Sequence, residues 1–147
     1  MDNFKKGIDY IGVCVVFFCY DGKGNFIMAK RSVNARDENG RYDIGGGAVE
    51  FRQTIDETLR KEIKEEYNVD VIDYDFLGFR DVHRDKDGVK THWIGLDFKV
   101  LVNPEGLRIN EPHKFDDIAW FTMQTIPEES KVHSQFPHFL KKYAKQL

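Results

Sequence analysis

GGAVEFRQTIDETLRKEIKEEYNV, residues 46–69, places a glycine run directly before an amphipathic helix. Thr54 and Glu57 have the spacing of a capping box, so the helix is expected to begin near Thr54. Ile55, Leu59, Ile63 and Tyr67 then recur at helical intervals. At about 100° per residue, Leu59 and Ile63 share one arc with Ile55. Glu66 falls inside that apolar arc, and Glu62 and Glu65 fall on one flank of it. A carboxylate on the packed side must be paired or must coordinate a cation, because an isolated buried charge is very costly. Three neighbouring carboxylates also repel one another unless something positive sits among them. Two readings follow from the helix alone. Lys61 and Lys64 can pair with these glutamates on a solvated face, or a hard divalent cation such as Mg²⁺ can draw on their oxygens.

Outward from this helix, Ile11–Tyr20 (IGVCVVFFCY) is apolar at both parities and reads as a strand covered on both faces. A turn at residues 21–25 joins it to a second strand, Phe26–Arg31, as a hairpin. Ser32–Arg41 is polar and reads as a loop. Gly45, Gly46 and Gly47 read as a turn where backbone can approach a ligand without interference from a Cβ. Val69–Val82 and Val89–Val102 read as strands joined by a turn at 85–88. In the second of these, His92, Ile94, Leu96, Phe98 and Val100 share one face, and Thr91, Trp93, Asp97 and Lys99 the other. Asn103–Asp116 reads as a long loop, Ile118–Phe121 as a short strand, and Phe136–Lys145 as a terminal helix. The mixture of hairpins and helices predicts an α/β (α+β) fold, a mixed sheet with helices packed against it.

The central stretch resembles the Nudix box, the pattern G-x5-E-x7-R-E-U-x-E-E-x-G-U in which U is a bulky aliphatic residue. Gly47 is the opening glycine, and Glu62, Ile63, Glu65, Glu66 and Val69 match directly. Tyr42, Ile44, Gly46, Val49 and Glu50 fit the flanking form. Glu111-Pro112-His113-Lys114 ahead of Trp120-Phe121 resembles a stretch common in nucleotide-hydrolysing members. Three positions depart from the box: Gln53 replaces Glu, Lys61 replaces Arg and Asn68 replaces Gly. Arg52 also stands where many members have glycine. Gln and Lys cannot form the bidentate carboxylate–guanidinium pair that Glu and Arg can. Asn68 is a mild change, since Asn tolerates the left-handed conformation needed after a helix.

The resemblance implies an α/β/α sandwich with a central mixed β-sheet, a single domain over 1–147, and hydrolysis of a nucleoside diphosphate linked to another group. It implies a metal site of Gly46 (through its carbonyl), Glu62, Glu65 and Glu66 for Mg²⁺, with Mn²⁺ as a substitute. Glu62 or Glu65 is then the general base, with Lys61 steadying the carboxylates. Glu111 is a further acid from the later loop. Arg31 is a candidate for phosphate contact, and Tyr42 and Trp93 for stacking on a base. Trp93 has packing under the terminal helix as its alternative. A nucleoside triphosphate, oxidised or otherwise noncanonical, leads the substrate classes. An ADP-sugar, a dinucleoside polyphosphate, or a weakly catalytic nucleotide-binding module are the alternatives.

Composition sets the outer limits. A formal net charge of −3 and a pI near 5.9 argue against a general binder of nucleic-acid polymers. No apolar run approaches the roughly 18–20 residues of a membrane helix. Cys14 and Cys19 should point to opposite faces of one strand and so form no disulfide, and a cytoplasmic location is the expectation. His83, His113 and His133 show no ligand spacing. A homodimer is left open by the sequence.

Overall fold

The first long strand, β1 (Gly12–Tyr20), runs through the middle of a seven-stranded sheet in a computed structural model that describes residues 3–147. Its double-sided apolar sequence explains the position. Val15, Phe17 and Cys19 feed one core layer and Phe18 the other, all of them buried. The remaining strands are β2 (Phe26–Arg31), β3 (Tyr42–Asp43), β4 (Gly45–Ala48), β5 (Asp70–Lys86), β6 (Val89–Asn103) and β7 (Phe115–Phe121). The order is β3-β2-β1-β6-β5, with β4 also paired to β1 and β7 to β2. Among these strands β1 and β6 run parallel and the others pair antiparallel, which gives the mixed sheet expected.

One helix covers each face. The first, α1 (Ile55–Tyr67), packs Leu59, Ile63 and Tyr67 against Val15, Phe17, Phe98 and Val100. The second, α2 (Phe136–Tyr143), packs Phe136, Phe139 and Tyr143 against Phe18, Phe26 and Met28. Asp97 lies on this second face and is fully buried. Arg80 donates to its carboxylate through Nε at 2.7 Å and through an Nη at 2.9 Å, and the Tyr143 hydroxyl donates at 2.7 Å. The polar face of β6 is therefore covered because its acid is satisfied from two sides.

Several local expectations change. The strand expected over Val69–Val82 runs on to Lys86, so the turn expected at 85–88 tightens to residues 87–88. The glycine run is no turn: Gly45–Ala48 forms β4, antiparallel to β1 with Cys14 opposite Ala48 and Phe17 opposite Gly45. A Cβ at Gly45 would lie 2.0 Å from the Phe17 ring, so the glycine lets the core ring press against backbone. The expected hairpin of β1 and β2 is joined only at Tyr20–Phe26. The strands then diverge, β1 to β4 and β6, β2 to β3 and β7. The last strand starts earlier than its apolar core suggests, at Phe115, because Lys30 and Arg31 of β2 extend the pairing through a bulge.

Candidate active site

The N-terminus of α1 is fixed by the capping box: the Glu57 amide donates to Thr54 Oγ1 at 3.0 Å, and the Thr54 hydroxyl to Glu57 Oε1 at 3.0 Å. Its C-terminus stops at Asn68 in the left-handed region, φ 59°, with the Asn68 amide bonded to the Lys64 carbonyl. Between these stops the helix presents Glu62 and Glu66 toward β4 and the loop before β7. Glu66 is 6% exposed, as its place inside the apolar arc requires, Glu62 is half-buried, and Glu65 and Lys61 are exposed.

Gly47 and Glu62 meet directly. A Cβ at Gly47 would lie 2.3 Å from Glu62 Cδ and 2.5 Å from Glu62 Oε2. The opening glycine of the box thus makes room for a carboxylate of the same box, and Gly46 beside it pairs with Val16. Burial pushes the Glu66 carboxyl well above the usual range, and the negative charges of Glu62, Glu111 and Asp43 push it further, against Lys114. Burial also raises Glu62, helped by Glu65 and Glu111 and opposed by Lys61 and Lys114. Lys114 Nζ stands 3.5 Å from Glu111 Oε2.

The lysine-pairing reading of the helix does not describe these glutamates. Lys64 bonds Asp70 at 3.0 Å and Arg60 bonds Asp56 at 3.0 Å. Among the described residues no ion pair joins Glu62, Glu65 or Glu66 to a basic side chain. Glu66 Oε2 and Glu111 Oε1 are buried without a hydrogen-bond partner. Two orphaned carboxylate oxygens facing a cluster of acids fit a hard divalent cation, which takes oxygen ligands and offsets their repulsion.

Other candidates are engaged elsewhere. Arg31 holds Asp37, Nε to its carbonyl at 2.8 Å and an Nη to Oδ1 at 3.0 Å. The Tyr42 hydroxyl donates to Asp117 at 2.6 Å, and its ring packs edge-on to Phe121. The Trp93 ring lies under the N-terminal segment, where a Cβ at Gly7 or Gly12 would fall 2.1 or 2.5 Å from it. It therefore packs against Gly7 and Gly12. Gln53 accepts from the Thr58 hydroxyl at 3.4 Å.

Two residues near the glutamates were not singled out from sequence. Lys114 was visible as the end of the Glu111–Lys114 stretch. Asp43 sits between Tyr42 and Ile44, which pack on the α2 side. Strand alternation turns Asp43 to the opposite side, toward Glu66 and Tyr67. The residue is partly exposed, and the burial of its carboxyl pushes it up to about 8 against the pull of Arg31.

Comparison with known proteins agrees with this arrangement. The NUDIX domain family matches residues 11–143. A nucleoside triphosphatase NudI from Enterobacter sp. (strain 638) is 30% identical over 110 residues, covering 70% of this chain and 77% of the relative. The protein of the same name from Klebsiella pneumoniae (strain 342) is 32% identical over 111 residues, covering 71% and 77%. In fold, the chain is similar to a MutT NUDIX hydrolase from Burkholderia pseudomallei, with a TM-score of 0.77 at 20% identity over 90% of this chain and 97% of the other. A MutT protein from Methanosarcina mazei Go1 superposes with a TM-score of 0.75 at 20% identity, over 92% and 94%. With the box residues gathered between β4, α1 and the loop before β7, and the match running nearly end to end, the chain belongs to the Nudix family of hydrolases acting on phosphoanhydride bonds.

Proposed function

We propose that this chain is a Mg²⁺-dependent pyrophosphohydrolase of nucleoside triphosphates. The observation that carries the reading is the buried, unpartnered Glu66 carboxylate facing Glu62 and Glu111. The triphosphate assignment is supported by the two relatives named as nucleoside triphosphatases.

Glu62, Glu65 and Glu66, with the Gly46 carbonyl, are the residues to hold the metal. A bound Mg²⁺ supplies charge neutralisation at the phosphate oxygens and a more acidic water. The chain's own residues do the rest. Glu62 accepts the proton of the attacking water, a role suited by a carboxylate held against Gly47 at the edge of the cluster. Lys114 keeps Glu111 turned toward the cluster and tempers its negative charge. Lys61 adds positive charge on the exposed flank of Glu62. Arg31, Tyr42 and Trp93 are committed to Asp37, Asp117 and the N-terminal segment, so we assign them to holding loops and strands and not to direct contact with nucleotide.

The test is product analysis on a panel of canonical and oxidised nucleoside triphosphates, ADP-sugars and dinucleoside polyphosphates, with Mg²⁺ or with chelator. The expected result is Mg²⁺-dependent release of pyrophosphate and a nucleoside monophosphate from a triphosphate. Turnover confined to the nucleotide sugars or dinucleotides, or release of orthophosphate alone, contradicts the assignment.

A further inference from the structure

The β5–β6 hairpin carries two histidines directly opposite each other, His83 on β5 and His92 on β6. Side chains of residues paired across a ladder point to the same face, as do residues two apart on one strand. Asp81 therefore joins the same face, diagonal to His92. The side chains meet as this register requires. His92 Nε2 lies 3.1 Å from Asp81 Oδ1, and the two imidazole rings stand edge to face with centroids 4.3 Å apart. One donor atom from each of the three residues lies within 4.8 Å of the others.

We infer that Asp81, His83 and His92 form a binding site for one Zn²⁺-class ion, separate from the glutamate centre. Zinc bonds nitrogen and oxygen ligands at about 2.0–2.2 Å in tetrahedral geometry, so two ligands on one ion stand about 3.5 Å apart. The ladder pairing fixes the Cα positions, and side-chain rotation closes the remaining gap. Two imidazoles and one carboxylate are a borderline donor set that suits zinc or copper and not Mg²⁺, which takes oxygen. The charges nearby are mixed: Asp85 stands opposite Lys90 across the hairpin, and Lys142 lines a groove with Asp81 and His83. Arg84 is held on the other face by Asp37 and Glu38 at 3.0 and 2.9 Å. Asp81 and His83 are exposed and His92 half-buried at the edge of a groove shared with residues 7–11, which leaves the ion's other positions to water. The His92 amide donates to the Gly7 carbonyl at 2.8 Å, so the N-terminal segment steadies one ligand from behind. None of the three residues is among the groups that shift Glu62 or Glu66.

The experiment is a Zn²⁺ titration against a chromogenic chelator, with Mg²⁺ in excess to occupy oxygen-only sites. It compares the parent with His83→Ala, His92→Ala, the double variant and Glu66→Gln. Loss of an outer-shell partner alone costs about 10–100-fold in metal affinity, so each histidine variant is expected to bind at least about tenfold more weakly, and Glu66→Gln to bind as the parent does. Cu²⁺ bound to the parent should show magnetic coupling to two imidazole nitrogens. Unchanged Zn²⁺ affinity in the double variant, weakening only in Glu66→Gln, or a Cu²⁺ spectrum with fewer than two coupled nitrogens would overturn the assignment.

Discussion

Gly47 and the Glu62 carboxylate are in such close contact that a methyl group at position 47 has no room unless the carboxylate moves. The atoms in the way are the far end of a flexible side chain, so a Gly47→Ala protein should fold with nearly unchanged stability. Its chemistry should suffer, since a misplacement of about 1 Å can cost about 10²-fold in rate. The check is kcat/KM beside a thermal melt; equal loss of both would mean that Gly47 serves the fold and not the site. Asp43 makes a different prediction. Its folded value of about 8 lies above the ordinary 3.8, so the folded chain holds a proton that the unfolded chain releases. Stability from this group is therefore undiminished below about pH 4 and falls as pH rises toward 8. Asp43→Asn removes that dependence, so its Tm advantage over the parent should widen from pH 5 to about pH 8. A gap constant with pH would contradict a carboxyl raised to about 8. The glutamates were legible from sequence because a helical period places Glu66 on the packed side. Lys114 and Asp43 were not, because the first is set by a loop and the second by a two-residue strand too short to show a period.

The helix α1 shows what a local pattern can and cannot specify. Its capping box, its apolar arc and its left-handed stop at Asn68 all follow from residue type and spacing. The approach to it does not. Three glycines suggest a turn by composition, yet they form β4 because β1 offers a partner and because Phe17 and Glu62 fill the spaces their missing Cβ atoms leave. Arg52, between β4 and α1, adopts φ 71°. A non-glycine residue there costs roughly 1–2 kcal/mol, offset in part by the backbone entropy glycine loses on folding. Arg52→Gly is therefore expected to stabilise the protein by up to about 1 kcal/mol, measured by urea denaturation. Asn68→Gly should gain nothing, because the Asn68 side chain donates to the Gly106 carbonyl at 2.9 Å and accepts from Asn110 at 3.3 Å. An equal gain from both would show that the left-handed backbone alone decides.

The whole molecule is a sheet with two cores, and the two faces divide the work. The α1 face carries the glutamates; the α2 face is locked by Arg80 and Tyr143 around the buried Asp97. Removing one partner of a buried ion pair costs about 3–5 kcal/mol, so Asp97→Ala should lower stability by that order while the protein that remains folded keeps its turnover. Activity lost in proportion beyond the folded fraction would show that the faces are coupled. The sheet's mixed character and both helices could be read from the sequence, and so could the two-sided burial of β1. The parallel pairing of β1 with β6 and the divergence of β1 from β2 could not, since neither is decided by residues near one another in the chain. The most direct test of the account is Mg²⁺-dependent pyrophosphate release by the parent and by Glu66→Gln, with folding of both checked by circular dichroism. The account predicts turnover in the parent that requires Mg²⁺, and a loss of about 10²-fold or more in a folded variant. Equal turnover in the two proteins, or nucleotide binding by the parent with no Mg²⁺-dependent release, would contradict it.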